Sequence, residues 1–351
     1  MYKPTLGLFF LLSFFGARSQ QTPGENPFSS LPKLNVTIAD DSTVGSFKAD
    51  FSNIDVMDAR PDSSTIGYIY SPHKRKRKQL VVEQGLEKII HDWTNKYLQA
   101  SNDITGDRLL IVIKRMRLGP EILSQKKVSE YLSEDFSGFA GISLKAEFYL
   151  NNAGNYYPLY RYDSVITYRA DPGSYAGLFI IKALELSLQK IKTLDREKIK
   201  VKGRKMTLQE VMDYSLQSYN IPILKDKIAL NRGVYRSFSE FTSNQPSIGD
   251  FTLGKNSLTQ VLYIKENGVE FAIATAWGYC DGENIFIYSG NNYFRLFRIG
   301  NTFSFKGFRG LNPQLHEMRM PYNNGGGYKA YESFDKIYQV YQVDIETGKF
   351  Y

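Results

Sequence analysis

Residues 259–308 read TQVLYIKENGVEFAIATAWGYCDGENIFIYSGNNYFRLFRIGNTFSFKGF, and this stretch decides the fold of the C-terminal half. Its segments are rich in Val, Ile, Phe, Tyr and Trp, which suit a pleated surface. Turn signals separate the segments at 267–268, 281–282, 290–292 and 300–301, where Asn, Asp and Gly tolerate the positive φ of tight hairpins. The pattern therefore predicts five short strands in an antiparallel meander.

The N-terminal residues have the layout of a secretory signal peptide. Lys3 gives a positive start, an apolar run follows over 6–15, and Ala17 and Ser19 supply the small residues of a cleavage site. The apolar run is too short to span a bilayer as an anchor. We therefore expect cleavage after residue 19, export to the periplasm or beyond, and no transmembrane segment in the mature chain.

The chain has a single cysteine, Cys280, which lies far from the expected cleavage site. A bacterial lipoprotein carries its cysteine directly after the signal, so we do not expect a lipid anchor. One cysteine also excludes an intramolecular disulfide. A buried, unreactive side chain is the simplest role for this thiol.

The order of patterns along the chain predicts two α+β domains. We expect a signal peptide at 1–19, a flexible tether at 20–32, an α+β domain at 33–194, a basic linker and helix at 195–230 and a β-meander domain at 231–351. Helical spacing of apolar residues predicts a helix over 80–98, and Asp171-Pro172 a second one that ends near 191. These two helices are expected to pack on an antiparallel-rich sheet, whereas the second domain combines a five-strand antiparallel meander with a short helix.

One short motif carries a resemblance to a known group of proteins. Asp58-x-Arg60-Pro61, followed by Ile66-Gly67 and then by a helix, a strand, a hairpin and a last helix, resembles small periplasmic lipoprotein domains of unknown biochemical role. The resemblance covers residues 34–192 and departs from that group in lacking the lipobox cysteine. Together with the run YRSFSEFTSNQPS at 235–247, the whole chain resembles uncharacterised exported proteins of Bacteroidetes-type bacteria. Neither resemblance implies an activity.

A net charge of +8 indicates that the protein could bind anionic partners. The densest run of cations consists of Lys74, Arg75, Lys76, Arg77 and Lys78. Such a run can bind anionic oxygens through many weak, salt-sensitive contacts, and the competing interpretation is a solvated loop. Export and the absence of interleaved aromatic residues favour an anionic envelope polymer, or an envelope protein, over nucleic acid.

The most distinctive run of the C-terminal half contains Trp277, Tyr279 and Asp281. Trp and Tyr on one strand face could stack on a ligand ring, with Asp281 or Glu283 accepting hydroxyl protons. Alternatively, their spacing of two places them on the same face as Phe271 and Ile273, where they fill the core of the sheet. Possible ligand stacking therefore competes with a core role, and the core role fits the spacing directly.

No pattern of catalytic residues, metal ligands or cofactor-binding residues stands out. The three histidines are scattered, and neither a Gly-x-Ser-x-Gly elbow nor a Walker loop occurs. We therefore expect an exported envelope or periplasmic protein with a non-enzymatic binding or structural role. The alternative is an enzyme that acts on envelope glycans or phosphoesters, whose paired carboxylates could come from distant strands.

Overall fold

The computed structural model describes residues 31–38, 48–49, 51–71, 76–97, 99–100, 106–119, 140–168, 173–226, 228–255, 260–266, 268–273, 276–290, 292–308 and 338–350. These residues form a mixed α+β structure with more strand than helix. Within these ranges, no helix combines the length and the apolar character needed to cross a membrane. The expected signal peptide lies outside the described residues.

The N-terminal half forms one large sheet, a separate pair of two-residue strands (Lys48–Ala49 and Gln99–Ala100) and several helices. Its strands are β1 (Lys33–Asn35), β2 (Lys48–Ala49), β3 (Asn53–Asp58), β4 (Gly67–Ser71), β5 (Lys76–Val81), β6 (Gln99–Ala100), β7 (Arg108–Gly119), β8 (Ala140–Asn152) and β9 (Asn155–Tyr168). Its helices are α1 (Leu86–Tyr97), α2 (Ala176–Gln189), α3 (Arg196–Lys202) and α4 (Leu208–Leu216), with 3-10 turns at Ile191–Thr193, Gln217–Tyr219 and Pro222–Leu224.

The large sheet has the strand order β1-β5-β4-β7-β8-β9, and β3 also pairs with β7. Strands β4 and β5, β7 and β8, and β8 and β9 are antiparallel, whereas β1 is parallel to β5, and β3 and β4 are parallel to β7. The sheet is therefore mixed rather than purely antiparallel, although most of its residue pairs are antiparallel, as the sequence predicts. Helix α1 lies between β3 and β7 in the chain, and such a crossover produces a parallel pair.

Helix α1 is shorter than the sequence pattern predicts. The expected helix began at Leu80, but Leu80 lies in β5, paired with Gly67 and fully buried. The chain then turns at Gly85, whose φ of +83° favours glycine, and the helix begins at Leu86. Part of the apolar pattern thus belongs to strand β5, and Lys76, Arg77 and Lys78 lie in that strand rather than at the start of the helix.

Helices α1 and α2 pack on the same face of the large sheet. Their buried side chains share one core with alternate residues of β7 and β8, which include Leu86, Ile90, Trp93, Phe179, Leu184, Leu109, Ile111, Ile113, Ile142 and Leu144. The opposite face, called here the outer face, carries a smaller core. There Val211 of α4 packs with Leu110, Val112, Tyr149 and Met206.

The C-terminal half consists of short strands and one short helix. They are β10 (Gly233–Tyr235), α5 (Phe238–Ser243), β11 (Phe251–Lys255), β12 (Gln260–Glu266), β13 (Val269–Ile273), β14 (Gly278–Cys280), β15 (Ile285–Ser289), β16 (Asn292–Arg295), β17 (Phe297–Ile299), β18 (Thr302–Phe308) and β19 (Tyr338–Gln342). The hairpins β12–β13, β14–β15, β15–β16 and β17–β18 confirm the four turns predicted from sequence.

The prediction of a single five-strand meander is wrong, because the strands belong to three sheets. Their orders are β11-β12-β13, β10-β14-β15-β16 and β17-β18-β19. The sheet that contains β15 is apolar on both faces: Ile285 and Ile287 belong to one core, and Phe286 and Tyr288 pack against another. A single meander would leave one of these faces in water, whereas the three-sheet arrangement covers both.

Candidate anion-binding cleft

A cleft of about 410 Å³ opens on the outer face of the large sheet, beside β9. Such a volume is within the range of small-molecule sites. The lining residues are Glu147, Phe148, Tyr149, Pro158, Leu159, Tyr160, Arg161, Arg204, Met206 and Tyr214. They come from β8, β9, the segment that follows α3, and α4.

An irregularity in strand pairing lies beside the cleft. Phe148 pairs with Tyr160 but its neighbour Tyr149 pairs with Pro158, so Leu159 is an extra residue of β9. Proline cannot donate to a strand ladder and is therefore tolerated at such a bulge. Bulges redirect side chains and often lie next to functional sites.

Glu147 is the centre of a polar network in the cleft. Its side chain is 7% exposed, and Arg161 Nη2 donates to its Oε1 atom at 2.6 Å. Tyr149 Oη donates to the Oε2 atom at 2.9 Å. Arg161 Nη2 also lies 3.0 Å from Tyr214 Oη, which links the network to α4. Both oxygens of the buried carboxylate thus have a donor, and the carboxylate charge is neutralised.

The shifted pKa values in this network preserve that arrangement. Burial, with a further contribution from Glu147, raises the pKa of Tyr149, so its hydroxyl remains a donor near pH 7. Burial opposes the charged form of Arg161, but Glu147 and Tyr214 together outweigh this effect and raise the pKa of Arg161. The arginine therefore remains charged at any physiological pH.

Arg204 supplies the cleft with a positive charge that the described residues do not neutralise by contact. Its side chain is exposed, and none of the hydrogen bonds or ion pairs among the described residues uses its guanidinium. Its electrostatic interaction with Glu210 acts without a hydrogen bond. Because an arginine fork pairs well with carboxylate and phosphate, Arg204 suits an anionic group in the cleft.

The position of Arg204 is fixed by its neighbours in the chain. Met206 exchanges two backbone hydrogen bonds with Tyr156 of β9, at 2.8 and 2.9 Å. Thr207 then caps α4, a helix within the predicted range 195–230, through a complete capping box with Glu210. Arg204 thus lies between α3 and α4, on a segment that is joined to the edge of the sheet.

Lys114 lies at the second irregularity of the outer face, a register shift between Ile113 and Arg115. It is buried, donates its Nζ to the carbonyl of Ser215 near the end of α4, and lies 5.3 Å from the centre of the Tyr219 ring. Burial lowers the pKa of Lys114, while Glu147 and Glu346 act in the opposite direction. This lysine fastens α4 to the sheet and does not line the cleft.

The basic run predicted as a binding patch is only partly described. Lys74 and Arg75 lie outside the described residues, whereas Lys76, Arg77 and Lys78 form the start of β5. There they pair with Ser71, Tyr70 and Ile69 of β4. At least this part of the run is therefore a strand, and a role in binding anionic polymers stays a prediction.

The predicted stacking residues lie in two different cores. Trp277 stacks on Phe241 of α5 with ring centres 4.1 Å apart, whereas Tyr279 stacks on Phe286 at 4.6 Å. Their expected position on one shared face is therefore wrong. The chain changes sheets between β13 and β14, so neither residue shares a sheet face with Phe271 or Ile273 of β13.

Asp281 serves the turn between β14 and β15. One carboxylate oxygen accepts from the backbone N–H groups of Glu283 and Asn284, at 2.9 and 2.7 Å. Gly282 has a φ of +106° whereas Asp281 has no positive φ, so this turn is not of type I′. Cys280 is buried beside it, and burial raises the pKa of its thiol.

Sequence patterns alone do not identify the cleft. Glu147 and Arg161 lie on paired strands of the β8–β9 hairpin, and such cross-strand charge pairs could have been sought by aligning the hairpin. Arg204 was assigned to a basic linker, where nothing distinguishes it from its neighbours. Only the packing of that linker against β9 makes it part of a site.

Comparison with known proteins places no constraint on this cleft. No protein-family model matches the sequence, and no curated protein or solved structure matches it either. Among the residues that the structure describes, His, Cys, Asp and Glu side chains form no group of three or more that would suit a metal ion.

Proposed function

We propose that this chain is an exported envelope or periplasmic protein that binds an anionic ligand in the outer-face cleft, without catalysing a reaction. The observation that carries the proposal is Arg204, an exposed guanidinium without a hydrogen-bond partner among the described residues, on the rim of a cleft whose carboxylate is already neutralised. Export is supported by the signal-like pattern of residues 1–19.

The contacts of Glu147 favour binding over catalysis. A glycosidase needs two carboxylates on either side of the reacting bond, and Glu147 is the sole carboxylate among the described lining residues. Its two oxygens are occupied by Arg161 and Tyr149. The alternative, an enzyme that acts on envelope glycans or phosphoesters, would require a further acid or nucleophile at this cleft.

Titration calorimetry with galacturonate and with inorganic phosphate tests the proposal. We expect binding of at least one of these anions, and a loss of about tenfold or more in Arg204→Gln, since a charge-assisted hydrogen bond contributes about 1.5–3 kcal/mol. Lys265→Gln is the control, because it removes one exposed cation from β12.

Three results would contradict the proposal. The first is equal anion affinity of the wild type and Arg204→Gln, which would show that Arg204 of the cleft does not bind the anion. The second is turnover of a glycoside or phosphate ester that is abolished in Glu147→Gln. This result would support the enzymatic alternative. The third is recovery of the protein from the cytosol with residues 1–19 intact, which would refute export.

A further inference from the structure

The segment that carries Arg204 has a large excess of positive charge. Residues 190–205, called here the basic segment, contain eight cations and two acids. The cations are Lys190, Lys192, Arg196, Lys198, Lys200, Lys202, Arg204 and Lys205, and the acids are Asp195 and Glu197. This segment therefore supplies six of the eight net positive charges of the protein.

Internal contacts hold the basic segment against the large sheet. Lys200 Nζ pairs with Asp107 at 2.9 Å and with Glu197 at 2.8 Å. Asp107 also accepts from Asn152, at the turn of the β8–β9 hairpin. Arg196 lies 4.5 Å from the centre of the Phe51 ring. These contacts fix the direction of the segment, which runs from the hairpin turn to the cleft.

A row of cations remains available on the fixed segment. Lys198 and Lys202 lie four residues apart on α3, and Lys205 follows next to Arg204. All four side chains are exposed, and none of them donates a hydrogen bond to any of the described residues. Like charges four residues apart destabilise a helix slightly, so helix formation does not account for this pair.

We propose that the basic segment is a track for an anionic polysaccharide, one unit of which enters the cleft; this inference rests on the proposed function. A small anion would need only Arg204, whereas the cations at 198, 202 and 205 extend the positive charge beyond the cleft. Helix geometry places Lys198 and Lys202 about 6 Å apart along the axis. Successive anionic groups of a polymer can therefore contact successive cations.

The aromatic residues favour a glycan over a single-stranded nucleic acid. The basic segment contains no aromatic residue, whereas proteins that bind single strands stack successive bases on aromatic side chains along the groove. An aromatic ring is available in the cleft, where the exposed Tyr214 can contact one sugar ring. The track thus recognises repeated charge, and the cleft recognises one unit.

Charge reversal on the track gives a direct test in the full chain. The track variant carries Lys198→Glu, Lys202→Glu and Lys205→Glu. The control variant carries Lys225→Glu, Lys265→Glu and Lys349→Glu, which are exposed elsewhere and change the net charge equally. We expect the affinity for polygalacturonate to fall about tenfold or more in the track variant and to change about twofold or less in the control.

The salt dependence adds a second readout. Loss of three ionic contacts should reduce the slope of log affinity against log salt by about 2, if each contact contributes about 0.7. Equal effects of the two triple variants would overturn the inference, as would tighter binding of single-stranded DNA than of polygalacturonate. If the track variant fails to fold, the matched substitutions to Gln replace both sets.

Galacturonate separates this inference from the proposed function. Binding of the monomer that depends on Arg204, with polygalacturonate no tighter per site, would overturn the track and leave the anion-binding cleft intact. Galacturonate affinity that is equal in the wild type and in Arg204→Gln would instead overturn the proposed function. Support for both requires Arg204-dependent monomer binding and a polymer that binds more tightly through Lys198, Lys202 and Lys205.

Discussion

Arg60 shows how a motif that suggests a family can have a structural role. Its guanidinium makes two hydrogen bonds of 2.8 Å with Asp58 and donates to the carbonyls of Ser63 and Thr65. These bonds close the turn between β3 and β4, two strands that both lie along β7. The motif residues could be recognised in the sequence, but their role depends on carbonyls that only the folded turn brings together.

Position 67, at the end of the same motif, requires glycine both for its backbone conformation and for lack of space. Its φ is +142°, and a Cβ at this position would lie 1.7 Å from the carbonyl oxygen of Leu118. Glycine is therefore needed where β4 meets β7. The sequence shows a glycine, but not the strand that approaches it.

The Arg60 network leads to a stability prediction. Arg60→Lys keeps the charge but loses the paired geometry with Asp58, and we expect a loss of about 2 kcal/mol or more in chemical denaturation, because both side chains are nearly buried, at 3% and 11% exposure. Arg108→Lys is the control, since its pair with Asp55 is 46% and 32% exposed and should cost about 1 kcal/mol or less. Equal losses in the two variants would contradict the structural role of Arg60.

At the scale of elements, local turn chemistry was predictable and strand partners were not. The Asn-Gly and Asp-Gly signals mark hairpins because these residues adopt the required backbone angles without tertiary contacts. The assignment of β13 and β14, or β16 and β17, to different sheets depends on which core each strand covers. Leu296, between β16 and β17, is buried in one of these cores. Nothing in its local sequence distinguishes it from a residue inside a strand.

Helix α4 provides a prediction about pH, because a buried cation holds it on the sheet. Burial lowers the pKa of Lys114 below its ordinary value of 10.5; Glu147 and Glu346 oppose the shift, and Lys145 and Arg161 add to it. Between the folded pKa and 10.5 the unfolded chain binds more protons at this position. The contribution of Lys114 to stability therefore rises with pH in that window.

Denaturation of Lys114→Met and of the wild type at several pH values measures this contribution. The free energy of unfolding of the wild type, minus that of the variant, should rise as the pH approaches 10.5. Lys265→Met reports the effect of removing an exposed lysine from β12. A difference for Lys114→Met that stays constant or falls over this range would contradict the account.

At the scale of the molecule, the two halves are joined at several points. Asn301 N–H donates to the carbonyl of Pro61 at 2.7 Å, and Arg117 donates to Gln342 at 3.1 Å. Lys145 of β8 pairs with Glu346 near the C-terminus. The sequence indicated two halves with different patterns, but charged and polar contacts between distant residues leave no periodic signal. The division into two domains stays a prediction.

The location of the binding surface is also a property of the whole molecule. The sequence offered residues 74–78 and the run around Trp277 as candidates, whereas the structure brings together Glu147, Arg161 and Arg204 from separate elements. Sequence composition could predict a basic protein with an anionic partner. It could not identify the cleft, because the cleft exists only where the basic segment packs beside β9.

Hydrogen exchange of the full chain, with and without polygalacturonate and read by mass spectrometry, tests the central claim most directly. We expect slower exchange on binding in peptides that cover 156–161 and 198–206, because the ligand would cover the cleft and the basic segment together. Peptides that cover 74–81 and 276–283 should exchange at the same rate in both samples. Protection confined to 74–81 or 276–283, with none at 156–161 and 198–206, would contradict the account.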